Sequence, residues 1–201
     1  AFLGWSPKSA DREILSLEEI SEIFDLSEIN KAGAKFSWEK LNWINAQYIK
    51  NMESIKLMEI LRKYWDDHGW EPPSQEWANK LAILIRDSMT LLKDSIDQSK
   101  PFFLIPTIQK EGQDFLENKD SKVSLKLILN FLTEQNTLKL DKEKAKEIIN
   151  EISKKHNIKK GILMKSLRVA FFGSLSGPDL IQSWELFAES KTDRTRIERC
   201  L

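Results

Sequence analysis

Six cations crowd into KKHNIKKGILMKSLR, residues 154–168: Lys154, Lys155, Lys159, Lys160, Lys165 and Arg168, with no acid among them. Clustered Lys and Arg side chains bind phosphates, because each contact releases a condensed counterion. Composition alone favours a blander reading, a solvated helix-and-loop face. On a helix spanning 161–172, Lys165, Arg168 and Phe172 recur at spacings of three and four and share a face. Leu163, Leu167, Ala170 and Phe171 point largely elsewhere, into a core. The run stops at Gly173 and restarts after Gly177-Pro178-Asp179, so two cations sit beside a tight turn in a segment apolar enough to be core.

Other chemistry is hard to assemble. His68 and His156 lie far apart, at no metal-ligand spacing, and Cys200 is the one cysteine, which excludes a disulfide within the chain and argues against zinc. There is no Gly-rich phosphate loop, no nucleophile elbow and no pair of carboxylates to nominate as acid and base. The residues therefore point to a binding module with no catalytic and no metal-ligating residues of its own. No apolar run reaches the roughly 18–20 residues of a membrane span, and no signal peptide is visible. With the cysteine usage this predicts a cytoplasmic protein with no membrane partner. The opening AFLGWSP lacks a methionine, as if cut from something longer.

The elements read as helix after helix. Lysine and arginine together number 31, as do aspartate and glutamate; residues 1–100 hold 13 cations against 17 anions, and residues 101–201 hold 18 against 14. The zero balance thus conceals an acidic first half and a basic second half. Ser16 and Glu19 form a capping box ahead of 16–24. Ser37 caps 37–51, where Trp38, Leu41, Ile44 and Tyr48 make an apolar side. Ile55, Leu57, Met58, Leu61 and Trp65 repeat the pattern over 54–69, with Gly69 closing it. Ser74 opens a helix over 74–96. KPFFLIP, 100–106, has proline at both ends; since an interior proline costs a helix about 3 kcal/mol, it is predicted to be an extended connection and the domain boundary. ENKDSK, 117–122, reads as a loop, followed by helices over 124–135, 141–156 (capped by Asp141) and 161–172. Pro178 is placed at the first position of a last helix. Of the seven tryptophans, Trp38, Trp43, Trp65, Trp77 and Trp184 sit at helical spacings and are expected in the core, not stacked on bases.

Two blocks carry a family resemblance. FLGWSP (2–7), the 18–36 stretch ending KAGAKF and KLNWINAQYI (40–49) resemble the part of bacterial-type glutamyl-tRNA synthetases that follows their KMSKS-type signature. LRVAFFGSLSGPDL (167–180) resembles a stretch near that family's C-terminus. The match runs the length of the chain, and the family's nucleotide-binding catalytic domain has no counterpart in it. The resemblance implies an all-α fold: the helical end of the stem-contact fold at 1–52, then a class I synthetase anticodon-binding helical cage in two subdomains, 53–103 and 104–201. It implies that Arg168, with Leu175, Gly177, Pro178 and Leu180, forms a pocket against anticodon bases, with Lys165 beside it. Splayed bases suit an arginine fork and apolar walls, and the start of the 178 helix would add free N–H groups near the polyanion. Lys154, Lys155, Lys159 and Lys160 would then track the tRNA backbone. Ser88 stands where glutamate-discriminating members carry an arginine that reads the third anticodon base, with Arg86 nearby on the same helix but pointed elsewhere.

A small neutral residue at 88 is read as tolerance of both C and U at that base, so that the parent enzyme would charge tRNA-Gln as well as tRNA-Glu. The parent would use ATP and magnesium; this stretch would hold no cofactor, bind no DNA and act as a monomer. Two rivals stand beside this reading. A helical protein–protein adaptor would bind through apolar grooves without salt dependence, and a self-contained helical enzyme would need a constellation the sequence does not supply.

Overall fold

The computed structural model describes residues 4–5, 14–29, 35–135 and 139–201. Local chemistry sets the helix starts. At α1 (Leu17–Ile23) the Glu19 N–H donates to Ser16 Oγ at 3.1 Å and the Ser16 N–H donates to the Glu19 carboxylate at 2.7 Å, closing the capping box. Ser37 caps α2 (Trp38–Asn51), Glu53 caps α3 (Ser54–Asp67) and Ser74 caps α4 (Gln75–Arg86). After α5 (Ser95–Phe103) and α6 (Lys110–Leu116) come α7 (Lys119–Glu134), α8 (Lys142–His156) started by Asp141, and α9 (Lys160–Phe172). The remaining helices are α10 (Leu180–Glu189), started by Asp179, and α11 (Asp193–Glu198). Every regular element among the described residues is helical, as expected. The end of α3 is a paired turn, with the Trp70 N–H on the Trp65 carbonyl at 2.9 Å and the Gly69 N–H on Asp66 at 3.0 Å.

One hydrophobic core runs from Ile49 to Cys200. Trp65, Trp77, Trp184, Phe171 and Phe187 are fully buried in it, and large aromatic groups of this kind dominate core energetics. α9 lies at its centre, packed against α6, α7, α8, α10 and α11. The halves before and after residue 104 share this core. Trp77 Nε1 donates to the Leu186 carbonyl at 2.8 Å, and Phe102 stacks on Phe187 with centroids 5.0 Å apart. Lys80 bridges Glu185 at 3.0 Å and Glu189 at 2.5 Å. Burial opposes its charge, but the bonds to Glu189 and Glu185 win and hold the ammonium well above its ordinary pKa.

Four sequence expectations are corrected. Residues 100–103 are helical, not extended: α5 runs through Pro101 to Phe103. Packing overrides the proline here, since Phe102 is buried against Phe187 and Phe103 lies 5.2–5.6 Å from Trp65, Trp70 and Trp77. The extended stretch is 104–109. The single helix over 74–96 is broken after Arg86, because Asp94 accepts from the N–H groups of Thr90 and Leu91 and starts a new turn. The loop at 117–122 shrinks to Glu117 and Asn118, since Asn118 caps α7 directly after α6, a helix the sequence pattern did not reveal. On α2, Trp38, Leu41, Trp43 and Tyr48 are 44–71% exposed and only Ile49 is buried, so these tryptophans are not core anchors; Ile55 is exposed as well. Trp5 and Trp70, by contrast, are buried.

Among the described residues no helix is long and apolar enough to cross a membrane, and no cluster of three or more His, Cys, Asp or Glu could hold a metal.

Candidate nucleic-acid interface

The turn after α9 is built around Gly173. Its φ is +72°, and a Cβ there would stand 2.2 Å from the Thr107 carbonyl oxygen. That close approach lets the Gln109 N–H donate to the Gly173 carbonyl at 2.7 Å, so the 104–109 segment is pinned to the end of α9. The chain then crosses the Phe172 ring. Gly177 has φ +152°, and a Cβ on it would meet Phe172 Cδ2 at 2.8 Å. The positive φ and the ring beneath it therefore favour glycine at this position.

Arg168 Nη1 donates to the carbonyls of Gly177 and Pro178, each at 2.9 Å. The half-buried guanidinium thus clasps the turn with one nitrogen, while Nε and Nη2 have no hydrogen-bond partner among the described residues. On the other flank the Leu175 N–H donates to Glu111 Oε1 at 3.2 Å, and Ser174 Oγ donates to the Ser176 carbonyl at 2.9 Å. Leu175 and Pro178 are half-buried and Gly177 is exposed, which leaves a small apolar wall beside an arginine fork. Glu111, an acceptor against this wall, was missed from sequence; it sits on the unanticipated α6.

One expected contributor is absent from that wall: Leu180 is 1% exposed and belongs to the core. Phe172, expected on the face of Lys165 and Arg168, is core as well at 7%. Pro178 is not the first helical residue: Asp179 is the N-cap and its carboxylate accepts from the Gln182 N–H at 2.8 Å. The start of α10 therefore presents an anion, so it offers a polyanion no free N–H site of the kind expected.

The basic residues form a separate corner. Lys154 and Lys155 lie in the last turn of α8, Asn157 takes a left-handed conformation, and Lys159 and Lys160 start α9. All four lysines are exposed, as is Lys165, and none makes an ion pair among the described residues. A helix rises about 1.5 Å per residue, so the 13 residues of α9 put this corner about 20 Å from the turn. Lys160, Met164, Lys165 and Arg168 follow one another along a single face between them.

Arg86 ends α4 and is half-buried, with an Nε that is enclosed and without a partner. Ser88 lies in the exposed turn beyond, not on a helix. Its Oγ donates to the Ile85 carbonyl at 2.6 Å and stands 3.2 Å from Gln98 Oε1. Asn45 of α2 donates to the Thr90 carbonyl at 2.5 Å, so it supports this turn. Trp77 on Leu186 and Lys80 on Glu185 and Glu189 pack α4 against α10.

Gly177→Ala tests whether this turn is as tight as its geometry. The substitution should lower stability by about 1–2 kcal/mol through the positive φ and the Phe172 overlap, read by thermal unfolding. An unchanged Tm would show that the turn gives way freely.

A family model described as an anticodon binding domain matches residues 56–201. Over its 201 residues the chain is 92% identical to a glutamate–tRNA ligase of Prochlorococcus marinus and spans 42% of that relative's length. Its fold is similar to a solved glutamate–tRNA ligase of Elizabethkingia meningosepticum in complex with its amino acid, at TM-score 0.90 and 29% identity, over 98% of this chain and 38% of that one. A glutamate–tRNA synthetase of Elizabethkingia anophelis matches at TM-score 0.86 and 30% identity, over the same shares of the two chains.

Proposed function

The chain belongs to the anticodon-binding domain family, and from that premise we propose that it is the tRNA-reading part of a glutamate–tRNA ligase. The observation that carries this reading is the Arg168 clasp: one guanidinium nitrogen fixes the Gly177 and Pro178 carbonyls while the rest of the fork is unspent. A planar fork held rigidly beside a half-buried leucine and proline suits the edge and face of an unstacked base. Lys154, Lys155, Lys159 and Lys160 set register on the phosphates, Lys165 links corner and turn, and the 86–88 turn meets a further base. Residues 1–52, 53–103 and 104–201 serve as the end of the stem-contact part and two anticodon-reading subdomains, the second boundary falling where α5 ends.

Glutamate activation and transfer, with ATP and magnesium, belong to the remainder of the relatives' length. No acidic cluster among the described residues fits a metal, so no step of that chemistry is placed on this chain. The whole protein acts in the cytoplasm as a monomer, on tRNA-Glu and on tRNA-Gln. The codons correct the pair of bases at stake. Glutamate is coded by GAA and GAG and glutamine by CAA and CAG, so the third anticodon base is C in one tRNA and G in the other. Tolerance at Ser88 therefore has to cover C and G, not C and U.

Fluorescence anisotropy with labelled anticodon stem-loops for the two tRNAs, titrated at low and moderate salt, tests the reading. Binding should fall steeply with salt, with a log–log slope of about −3 for four phosphate contacts. Arg168→Lys keeps the charge, loses the fork, and should weaken binding about tenfold. Salt-independent binding, or none from a folded sample, would return the adaptor reading.

A further inference from the structure

The turn between α4 and α5 holds a side-chain amide with unspent hydrogen-bonding capacity. Ser88 gives its single hydroxyl proton to the Ile85 carbonyl at 2.6 Å, so it has none left for Gln98 Oε1 at 3.2 Å. The contact works as well with the amide turned over, Nε2 donating to the hydroxyl oxygen, since amide oxygen and nitrogen are told apart only by such networks. Gln98 is half-buried on α5 and makes no other hydrogen bond among the described residues. One side chain thus offers a donor and an acceptor side by side, and little ties it to either orientation.

We propose that Gln98 is the residue through which this turn accepts cytosine and guanine alike at the third anticodon base. The inference rests on the anticodon reading given above. The Watson–Crick edge of cytosine shows the N4 amino donor beside the N3 acceptor. Guanine shows the reverse, the O6 acceptor beside the N1–H donor. An amide meets cytosine with Oε1 on N4 and Nε2 on N3, and turned over it meets guanine with Nε2 on O6 and Oε1 on N1. A side chain that only donates, or only accepts, leaves a like-for-like clash on one of the two bases. No sequence signal marks the pair, because Ser88 and Gln98 meet across a helix break.

The test uses the 201-residue chain with two stem-loops that differ only in C or G at that base. Wild type should bind both within about threefold of each other. Gln98→Glu, an acceptor pair, should favour the G loop by about tenfold, matching N1–H and N2–H while facing N3 of cytosine badly. Gln98→Arg, a donor fork, should favour the C loop by a similar factor. Gln98→Met should weaken both loops equally. Thermal unfolding of each variant confirms that the fold is kept. If wild type binds and neither charged variant moves the C-to-G ratio, the Gln98 inference is overturned while the anticodon reading stands. If wild type binds neither loop, both are overturned.

Discussion

Gly173→Ala should lower stability by about 4 kcal/mol or more and the Tm by roughly 10 °C. Two effects add. The left-handed conformation at φ +72° costs a residue with a Cβ about 1–2 kcal/mol. The new Cβ would stand 2.2 Å from Thr107 O and 3.0 Å from its carbonyl carbon, and both are main chain. Relief would require the 104–109 segment to lift off α9, which breaks the bond from the Gln109 N–H to the Gly173 carbonyl. Thermal unfolding by circular dichroism reads the loss. A drop under about 1 kcal/mol would mean that the segment moves aside cheaply and that the pinning described above does not hold the turn.

Arg196→Ala is the second large effect, with an expected loss of about 3–5 kcal/mol. Arg196 is 1% exposed. It donates to the carbonyls of Phe171 at 3.1 Å and Leu104 at 3.3 Å and to Thr192 Oγ1 at 3.2 Å, and lies 4.2 Å over the Phe187 ring. Truncation leaves the buried Phe171 carbonyl and the part-buried Leu104 carbonyl without this donor and a cavity over the ring. No carboxylate pairs with this cation among the described residues. Burial, helped by the neighbouring Arg199, pushes its pKa down to about 10. Above that pH, and until the ordinary guanidinium value is reached, the unfolded chain holds the proton and the folded protein does not, so this group's contribution rises with pH. The stability gap between wild type and Arg196→Ala should therefore widen as pH passes about 10. Urea unfolding at pH 8 and near pH 10.5 measures it, and a gap that narrows would contradict a depressed pKa.

The capping signals at Ser16, Ser37, Ser74 and Asp141 were legible because they depend on neighbours three residues away. The buried face of α3 was legible, Ile55 apart, because its periodicity is strong; on α9 Leu163, Leu167, Ala170 and Phe171 were found, but Phe172 is buried where the pattern set it beside the cations. What failed depended on distant contacts. Pro101 looked like a breaker until Trp65, Trp70, Trp77 and Phe187 supplied partners for the two phenylalanines after it. Leu180 entered the expected pocket through the family resemblance, and its spacing from Pro178 does not say which side of α10 meets the core. Arg168 and the turn were found from sequence only through the family resemblance; without it, a cation beside a glycine-proline pair reads as an ordinary cap. Arg196 and Arg199 drew no expectation from the sequence because their partners are carbonyls, which leave no trace in side-chain patterns.

Arg199 donates to the carbonyls of Pro106 and Ala170, so with Arg196 it secures both ends of the 104–106 stretch from α11. Those bonds join residues 92 and 93 positions apart. A ribosome adding about 5–20 residues per second makes Leu104 and Pro106 roughly 5–19 s before the arginines that hold them. During that interval the carbonyls of this stretch are left to water. The order of synthesis therefore makes the anchoring of the 104–106 stretch wait until α11 has emerged.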